Sequence, residues 1–476
     1  MSSFGIVIRD GFHATRDAAW NAVNLDTERI AVTGLSRAGK TVFLVSMISN
    51  LLAMGRGVAG NRKNTLPKLA DLLRENDACS SRLLDAEIEN AGTQDFPFFD
   101  YEGLRDQLAR GTAATWPPVT DRPAMTTLRL KLRRSSRLGQ FAGDRVLRLE
   151  LLDYPGEWLM DLPLLEQSYE TWSAEVLADL SQPPRSRFAA EFTAFLGALQ
   201  SAAPASDKTA THGFRLYRDA LRRAREDAGL RWLQPGRFLM PGPAGEIPLM
   251  HFFPWLGAPS PVRGTLGALL RDRFEEYKKH VRADFFEKHF SRFTRQVVLV
   301  DVLGALFAGR EAFEDTTRAL RSIGQAYARL LERDWLPGRG IKSIAFAATK
   351  SDHVDDLQRD NLRKTLQYYI EAGKVPKRGR ATYHTVAAVR CTTDIDVRDA
   401  EGRTHRAVQG LPLGENRQRP FQPGFVPAGE VPEAYWSNPY FVMPQLAPPE
   451  FAPGDAHPIQ HINLDAVLAD LLRDEL

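Results

Sequence analysis

Cysteine is almost missing from this chain: Cys79 and Cys391 are the only two in 476 residues. Two thiols cannot make a disulfide framework or, by themselves, a four-ligand zinc site. Long apolar runs are missing too, and none approaches the roughly 20 residues that a membrane span needs. Neither sign of charge is in excess, since 62 Lys and Arg against 59 Asp and Glu leave +3. That near-balance makes no case for a nucleic-acid partner, although it leaves room for a local basic face. The N-terminus carries Arg9, Asp10, His13 and Arg16 in place of an apolar core, so no signal peptide is expected. The closing Arg473-Asp-Glu-Leu476 resembles an endoplasmic-reticulum retention tag, which has nothing to act on without an export signal. Internal repeats and low-complexity tracts are also lacking. These absences point to a reduced, cytoplasmic setting. What remains, 43% hydrophobic and 25% charged residues, is ordinary for a globular protein, and the length calls for two or three lobes.

The chain is organised around Gly34-Leu-Ser-Arg-Ala-Gly-Lys-Thr41, which fits the phosphate-cradling P-loop (Walker A) pattern G-x-x-x-x-G-K-[ST]. An apolar stretch over 29–33 precedes it, and 42–52 continue as helix. Glycines let backbone N–H groups wrap phosphate oxygens while the helix aims its positive end at them. In this reading Ser36, Arg37, Ala38, Gly39, Lys40, Thr41 and Val42 hold the nucleotide. Lys40 reaches the terminal phosphates, and the Thr41 hydroxyl sits on magnesium.

Further along, 14–24 and most of 64–110 have a helical pattern, the latter broken by Phe96-Pro-Phe-Phe99. The prolines of Thr115-Trp-Pro-Pro-Val-Thr-Asp-Arg-Pro123 forbid regular structure. Period-2 alternation predicts strands over 126–132 and 145–152. Residues 172–292 read as helical, with Phe274, Tyr277, Val281 and Phe285 forming one apolar stripe. The stripe suits packing inside a helical lobe better than a membrane-surface role. The apolar loop 247–256, with His251-Phe-Phe-Pro-Trp255, should fill a core or a lobe interface. Continuous apolar runs over 295–302 and 343–348 predict buried strands, with helices over 311–333 and 356–372 and a last strand over 383–389. A hairpin should turn at Asp399-Ala-Glu-Gly402, followed by an extended tail over 410–461. A final helix over 463–472 is expected to dock, with Asn463 as its N-cap.

Three further pieces follow the P-loop in the order a guanine-nucleotide domain requires. Asp153-Tyr-Pro-Gly156 ends a strand, so that Asp153 would hold magnesium through water and the Gly156 N–H would approach a γ-phosphate. The D-x-x-G pattern recurs as Asp301-Val-Leu-Gly304, and only order separates the two copies. Thr349-Lys350-Ser351-Asp352 resembles the N/T-K-x-D element, in which the carboxylate pairs with guanine N1 and N2 and the lysine stem packs on the base. The alternative is a helix N-cap with a surface lysine. Ala387, Ala388 and Val389 fall where such domains touch the guanine carbonyl. Six strands in this order form an α/β fold, a P-loop NTPase with a Ras-like G domain and a mixed six-stranded sheet. Roughly 110 residues lie between Thr41 and Asp153 and nearly 200 between Asp153 and Thr349, far more than common βα loops. A discontinuous G domain (1–172 and 293–400, with a helical insertion at about 50–115), a helical lobe (173–292) and a C-terminal hairpin, tail and helix (401–476) result.

These strings, with His251-Phe-Phe-Pro254, Arg295-Gln-Val-Val-Leu-Val-Asp301 and Phe346-Ala-Ala-Thr-Lys-Ser-Asp-His-Val354, also resemble the YcjX-like P-loop proteins of bacteria over essentially the whole chain. The resemblance implies a cytoplasmic nucleoside-triphosphatase that binds GTP or GDP with Mg2+ and is linked to stress response. For the switch threonine that closes over γ-phosphate and magnesium, Thr120 is favoured. Thr115 is the alternative, and Thr112, Thr126 and Thr127 are the remaining candidates. The place of the water-orienting glutamine holds Glu157, a carboxylate that cannot donate to phosphate. The P-loop is similar to that of guanylate-binding proteins, in which an arginine at the place of Arg37 acts as a finger in cis. If that finger works only between two protomers, it implies a homodimer through the G domain. A further protein partner, in solution or at a membrane, is left open. An ATPase, or a nucleotide-gated binding module with negligible turnover, are the competing readings.

Overall fold

The computed structural model describes residues 25–56, 66–74, 82–89, 96–109, 115–118, 122–134, 143–242, 245–257, 262–283, 292–332, 341–373, 381–437, 442–451 and 457–476. The sheet strands are β1 (Leu25–Gly34), β2 (Leu83–Glu89), β3 (Ala124–Leu132), β4 (Arg145–Asp153), β5 (Arg295–Val300), β6 (Ser343–Ala348) and β7 (Ala381–Thr385). They lie in the order β2-β3-β4-β1-β5-β6-β7. From β4 to β7 neighbours run parallel, and β2 and β3 are antiparallel additions at one edge.

The described sheet therefore has seven strands, not six, and the extra one falls within 64–110, where helix was expected. Leu83-Leu-Asp-Ala-Glu-Ile-Glu89 is rich in good helix formers, so local propensity reads helix. Pairing with β3 overrides it. Arg129 on β3 reaches Glu87 at 2.5 Å and Arg148 on β4 reaches Glu89 at 2.8 Å, so charges on this edge are matched across strands. The rest of that stretch includes helices at Pro67–Leu72 and Tyr101–Ala109. The expected helix at 14–24 lies outside the described residues.

Each parallel strand alternates between two cores. Ile30, Val32, Val297 and Leu299 face helix α1 (Lys40–Gly55) and the C-terminal helix (Leu464–Leu472), with Phe43, Met47, Leu51, Val467 and Leu468. Ala31, Val298, Val300 and Phe346 face the other way, toward Leu303, Leu320, Ile323 and Leu366 on three helices, Val302–Ala308, Arg310–Glu332 and Arg359–Glu371. Burial on both faces is why β5 and β6 read as continuous apolar runs.

A third core is built from 164–281. Helices Tyr169–Leu180, Asp207–Asp227 and Leu266–Val281 bury Trp172, Phe214, Tyr217, Phe274, Tyr277 and Val281 around Phe252 and Phe253. Trp172 stacks on Phe274 at 5.1 Å between centroids. Fully burying each such side chain contributes roughly 1.5–3 kcal/mol, so the stripe on the last of these helices is committed to the interior. Phe285 lies outside the described residues.

The strand expected over 383–389 stops at Thr385, and 386–391 form a loop. The hairpin is present as Thr392–Arg398 and Thr404–Gly410, with Arg419–Phe421 added as a third strand. Asn463 takes the N-cap position of the last helix, as expected, but its side chain makes no cap hydrogen bond. Its φ is +57°, and its amide donates to the Thr385 hydroxyl at 3.4 Å. No described helix is long and apolar enough to cross a membrane.

Candidate functional site

The order of strands reverses at β1, whose neighbours are β4 and β5, and ligands of open α/β sheets bind beyond the carboxyl ends at such a point. The loop 34–39 occupies that position. Arg37 (φ +65°) and Gly39 (φ +81°) both take left-handed conformations that curl the chain before α1 begins at Lys40. The buried Lys40 ammonium donates to the Gly34 carbonyl at 3.3 Å, and Arg37 is exposed. The Thr41 hydroxyl donates to Asp153 Oδ2 at 3.2 Å, joining the start of α1 to the end of β4. A hydroxyl and a carboxylate are the hard oxygen donors that magnesium takes, and it leaves its other positions to water and phosphate oxygens. This pair therefore fits the ion. Among the described residues no cluster of three or more His, Cys, Asp or Glu could hold a metal by itself.

Gly156 packs directly on the P-loop. A Cβ at Gly156 would lie 1.7 Å from the Gly34 carbonyl oxygen, so no other residue fits without parting the two segments. Gly156 and Asp153 lie beneath the loop. A cleft of about 950 Å³ opens above it, a volume typical of small-molecule sites. Ser36, Arg37, Ala38, Gly39, Lys40, Thr41 and Val42 line one end, and Thr349, Lys350, Asp352, Ala388 and Val389 line the other.

The far end is built from the carboxyl ends of β6 and β7. Thr349 turns inward, its N–H and hydroxyl donating to the Val300 carbonyl at 2.9 and 3.3 Å. It braces the loop rather than facing the cleft with its hydroxyl. Lys350 takes φ +58°, and its ammonium meets Asp301 Oδ2 at 2.5 Å. Asp301 also accepts from the Gly304 N–H at 2.8 Å, so the second D-x-x-G copy is a helix cap that anchors this lysine. The buried Asp352 accepts from the Cys391 N–H at 2.8 Å. Burial, with Asp352 beside it, pushes the Cys391 thiol well above its ordinary range, so it stays protonated.

A profile described as the YcjX-like family, DUF463, matches residues 28–476. The chain belongs to that family. It is similar to a Ras-like GTPase YcjX of Escherichia coli (strain K12), 33% identical over 472 residues that span 94% of this chain and 96% of that protein. A Ras-like GTPase YcjX of Shewanella oneidensis (strain ATCC 700550 / JCM 31522 / CIP 106686 / LMG 19005 / NCIMB 14063 / MR-1) is 32% identical over 475 residues, 94% of each chain. The α/β fold with its mixed sheet is consistent with such a Ras-like P-loop architecture.

Of the threonines expected near the phosphate, Thr120 and Thr112 lie outside the described residues. Thr126 and Thr127 are buried within β3, which removes them from a mobile loop. Thr115 is exposed and accepts from Gln107 Nε2 at 2.8 Å, while the adjoining Trp116, Pro117 and Pro118 line the cleft. Glu157 is turned away toward the helical lobe, where Arg225 approaches its Oε1 at 3.4 Å.

Sequence reasoning missed the partners contributed by distant segments. Ile462 exchanges backbone hydrogen bonds with Ala387 at 3.1 and 2.8 Å, and Arg390 N–H reaches the Gln460 carbonyl at 2.8 Å. The tail thus clamps the 387–390 loop from behind. The Trp116 indole donates to the Leu446 carbonyl at 2.8 Å. The helical lobe adds Arg187, Glu226, Gly229 and Arg231 to the cleft wall. A single-residue bridge or one arginine in a loop has no periodicity by which a sequence could announce it.

Proposed function

We propose that this chain is a GTP-binding protein that hydrolyses GTP to GDP and phosphate, with Mg2+, and uses the two nucleotide states as a switch. The observation that carries the reading is the Thr41–Asp153 pair beneath a P-loop whose cleft ends at Asp352. A hydroxyl and carboxylate for magnesium stand at the phosphate end, and a buried carboxylate that can accept two donors from guanine stands at the base end. Adenine lacks that donor pair, which favours GTP over ATP.

Magnesium, when bound between Thr41 and Asp153, would neutralise charge on the β- and γ-phosphates. Lys40 would leave the Gly34 carbonyl for phosphate oxygens. Hydrolysis forms a bond from water oxygen to the γ-phosphorus and breaks the bridging bond to the β-phosphate, and the water's protons pass to the products. Arg37, exposed on the loop, is positioned to reach developing charge from solvent or from a second protomer. Thr120 stays the proposed switch threonine. Lys350, braced by Asp301, would lay its stem on the base, and Ala388 and Val389 would face the guanine carbonyl.

The lobe is strapped to the segment after Gly156, which supports the switch. Trp158 Nε1 donates to the Met240 carbonyl at 2.7 Å, Gln234 Nε2 donates to Met160 at 2.9 Å, and Arg237 lies over the Trp158 ring at 4.2 Å. Asp161 accepts from the Gly236 N–H at 2.7 Å and from the Tyr277 hydroxyl at 2.9 Å. A γ-phosphate that draws on Gly156 would pull this strap and move the lobe, residues 173–292, against the nucleotide body. The family resemblance suggests a cytoplasmic setting and a role in stress response.

Mass spectrometry of nucleotide that co-purifies, with GDP and ADP titrations of parent and Asp352→Ala, tests the proposal. Guanine nucleotide and a selective loss of GDP binding are expected. Tighter ADP binding, untouched by the substitution, would defeat it.

A further inference from the structure

Three arginines line the cleft: Arg37 from the P-loop, and Arg187 and Arg231 from the helical lobe. Arg37 and Arg187 are exposed, whereas Arg231 is half-buried. Its backbone is fixed with care. The helix Asp207–Asp227 ends at Gly229 (φ +68°), and the Leu230 N–H bonds back to the Ala224 carbonyl at 3.1 Å. The carboxylate of Asp315, on the helix Arg310–Glu332, then accepts from the N–H groups of both Arg231 and Trp232, while Arg185 holds its other oxygen. Asp315 thereby ties residues 231 and 232 of the lobe to the sheet body.

The guanidinium itself is held far less. Its hydrogen bond among the described residues is to the neighbouring Leu230 carbonyl at 3.3 Å, and it forms no ion pair there. Asp301, Glu157 and Asp315 face it at longer range, as does the like charge of Arg37. Glu157 keeps its Oε2 buried without a hydrogen-bond partner among the described residues. An arginine withdrawn from water without a carboxylate against it is costly, and burial lowers its hold on the proton. A polyanion in the cleft would relieve that cost.

We propose that Arg231, delivered by the helical lobe and aimed by Asp315, is a catalytic residue that contacts the γ-phosphate and stabilises its transition-state charge in cis. This inference rests on the GTP reading above. It assigns to the lobe a chemical task besides transmission, because lobe and P-loop must be apposed for hydrolysis to proceed. The planar fork of arginine suits two phosphate oxygens at once, which a lysine point charge does not.

Single-turnover GTP hydrolysis by the full chain with Mg2+ tests it, using parent, Arg231→Ala, Arg231→Lys and Arg215→Ala, with GDP affinity measured alongside. Arg231→Ala is expected to keep GDP affinity within about threefold while slowing hydrolysis roughly a hundredfold or more. It should also lose the tighter binding of GDP with aluminium fluoride that is expected of the parent. Arg231→Lys should recover part of the rate, and Arg215→Ala, an exposed position of the same lobe outside the cleft, should match the parent. Hydrolysis by Arg231→Ala within about threefold of parent overturns the inference and leaves the GTPase reading standing. A parent that binds GTP without turnover overturns both, recognised by its own zero rate. Should Arg231→Ala fail to fold, the lysine variant decides: a loss of about tenfold or more supports the role and parent-like turnover overturns it.

Discussion

Lys40, Asp352 and Gly156 occupy three positions where the side chain, or its absence, decides what the cleft can do. Lys40 is buried with its ammonium against the Gly34 carbonyl, at the start of α1. Lys40→Ala is expected to abolish nucleotide binding in a fluorescence titration while leaving the melting temperature near the parent's. Asp352→Ala removes hydrogen bonds to a charged acceptor, each contributing roughly 1.5–3 kcal/mol. GDP affinity should fall about ten- to a hundredfold or more, measured by calorimetry, with ADP affinity unchanged. Gly156→Ala would set a methyl group 1.7 Å from the Gly34 oxygen. The two segments must part, so GDP should still bind while the difference in protection between GDP and a non-hydrolysable GTP analogue, read by hydrogen exchange, disappears. The loop that holds Lys40, the strand end that carries Asp352 and the close approach at Gly156 were legible as sequence, because a glycine-bounded strand-to-helix turn and a buried apolar run ending in polar residues are local patterns. Thr349 was legible only as a position. Its hydroxyl serves the Val300 carbonyl, and no pattern reveals a rotamer.

At the scale of elements, β2 and the strap after Gly156 carry the lesson. Helical propensity in 83–89 lost to edge pairing with β3, since an edge strand needs only one apolar face and tolerates Asp and Glu on the other. The strap centres on Asp161. Burial raises its pKa to about 6 from an ordinary 3.8, against the opposing charge of Arg237 and the hydrogen bonds from Tyr277, Gly236 and Arg237. As pH rises from about 4 the unfolded chain ionises first, so this group favours the folded state most at low pH. That contribution fades through pH 6, by roughly 3 kcal/mol for a shift of about two units. Asp161→Asn removes the titration. Its stability deficit relative to parent in urea unfolding should therefore be largest near pH 4 and shrink above pH 6. A deficit that grows with pH would contradict the assignment.

The whole molecule is closed at the end of the sheet opposite the cleft. Arg295 at the start of β5 is fully buried between Glu28 (3.0 Å), Asp474 (2.7 Å) and Glu475 (3.1 Å). Lys342 joins Glu28 at 2.6 Å and Glu475 at 3.1 Å, and Arg145 reaches Glu475 at 2.7 Å. The last residues thus lock the starts of β1, β4 and β5 together. Burial pushes the Glu475 carboxyl up, but hydrogen bonds with Glu28, Arg145 and Lys342 outweigh it and hold the group well below 4.5, at about 2. With a depressed folded value, its stabilisation is present above about pH 4.5 and lost as pH falls toward about 2. The melting-temperature difference between parent and Glu475→Gln should be constant above pH 5 and vanish in acid.

The sequence by itself determined the strand-loop-helix around 34–41, the strands that carry Asp153, Asp352 and their loops, and the existence of a separate aromatic core. Those features are local, written in spacing and period within one stretch of chain. Only the tertiary structure decided that 83–89 pairs as a strand, that 460–462 backs the 387–390 loop, that Asp301 anchors Lys350, and that Arg231 enters the cleft. Each of these joins segments far apart in sequence, and which of many feasible pairings wins depends on how the three cores pack against one another.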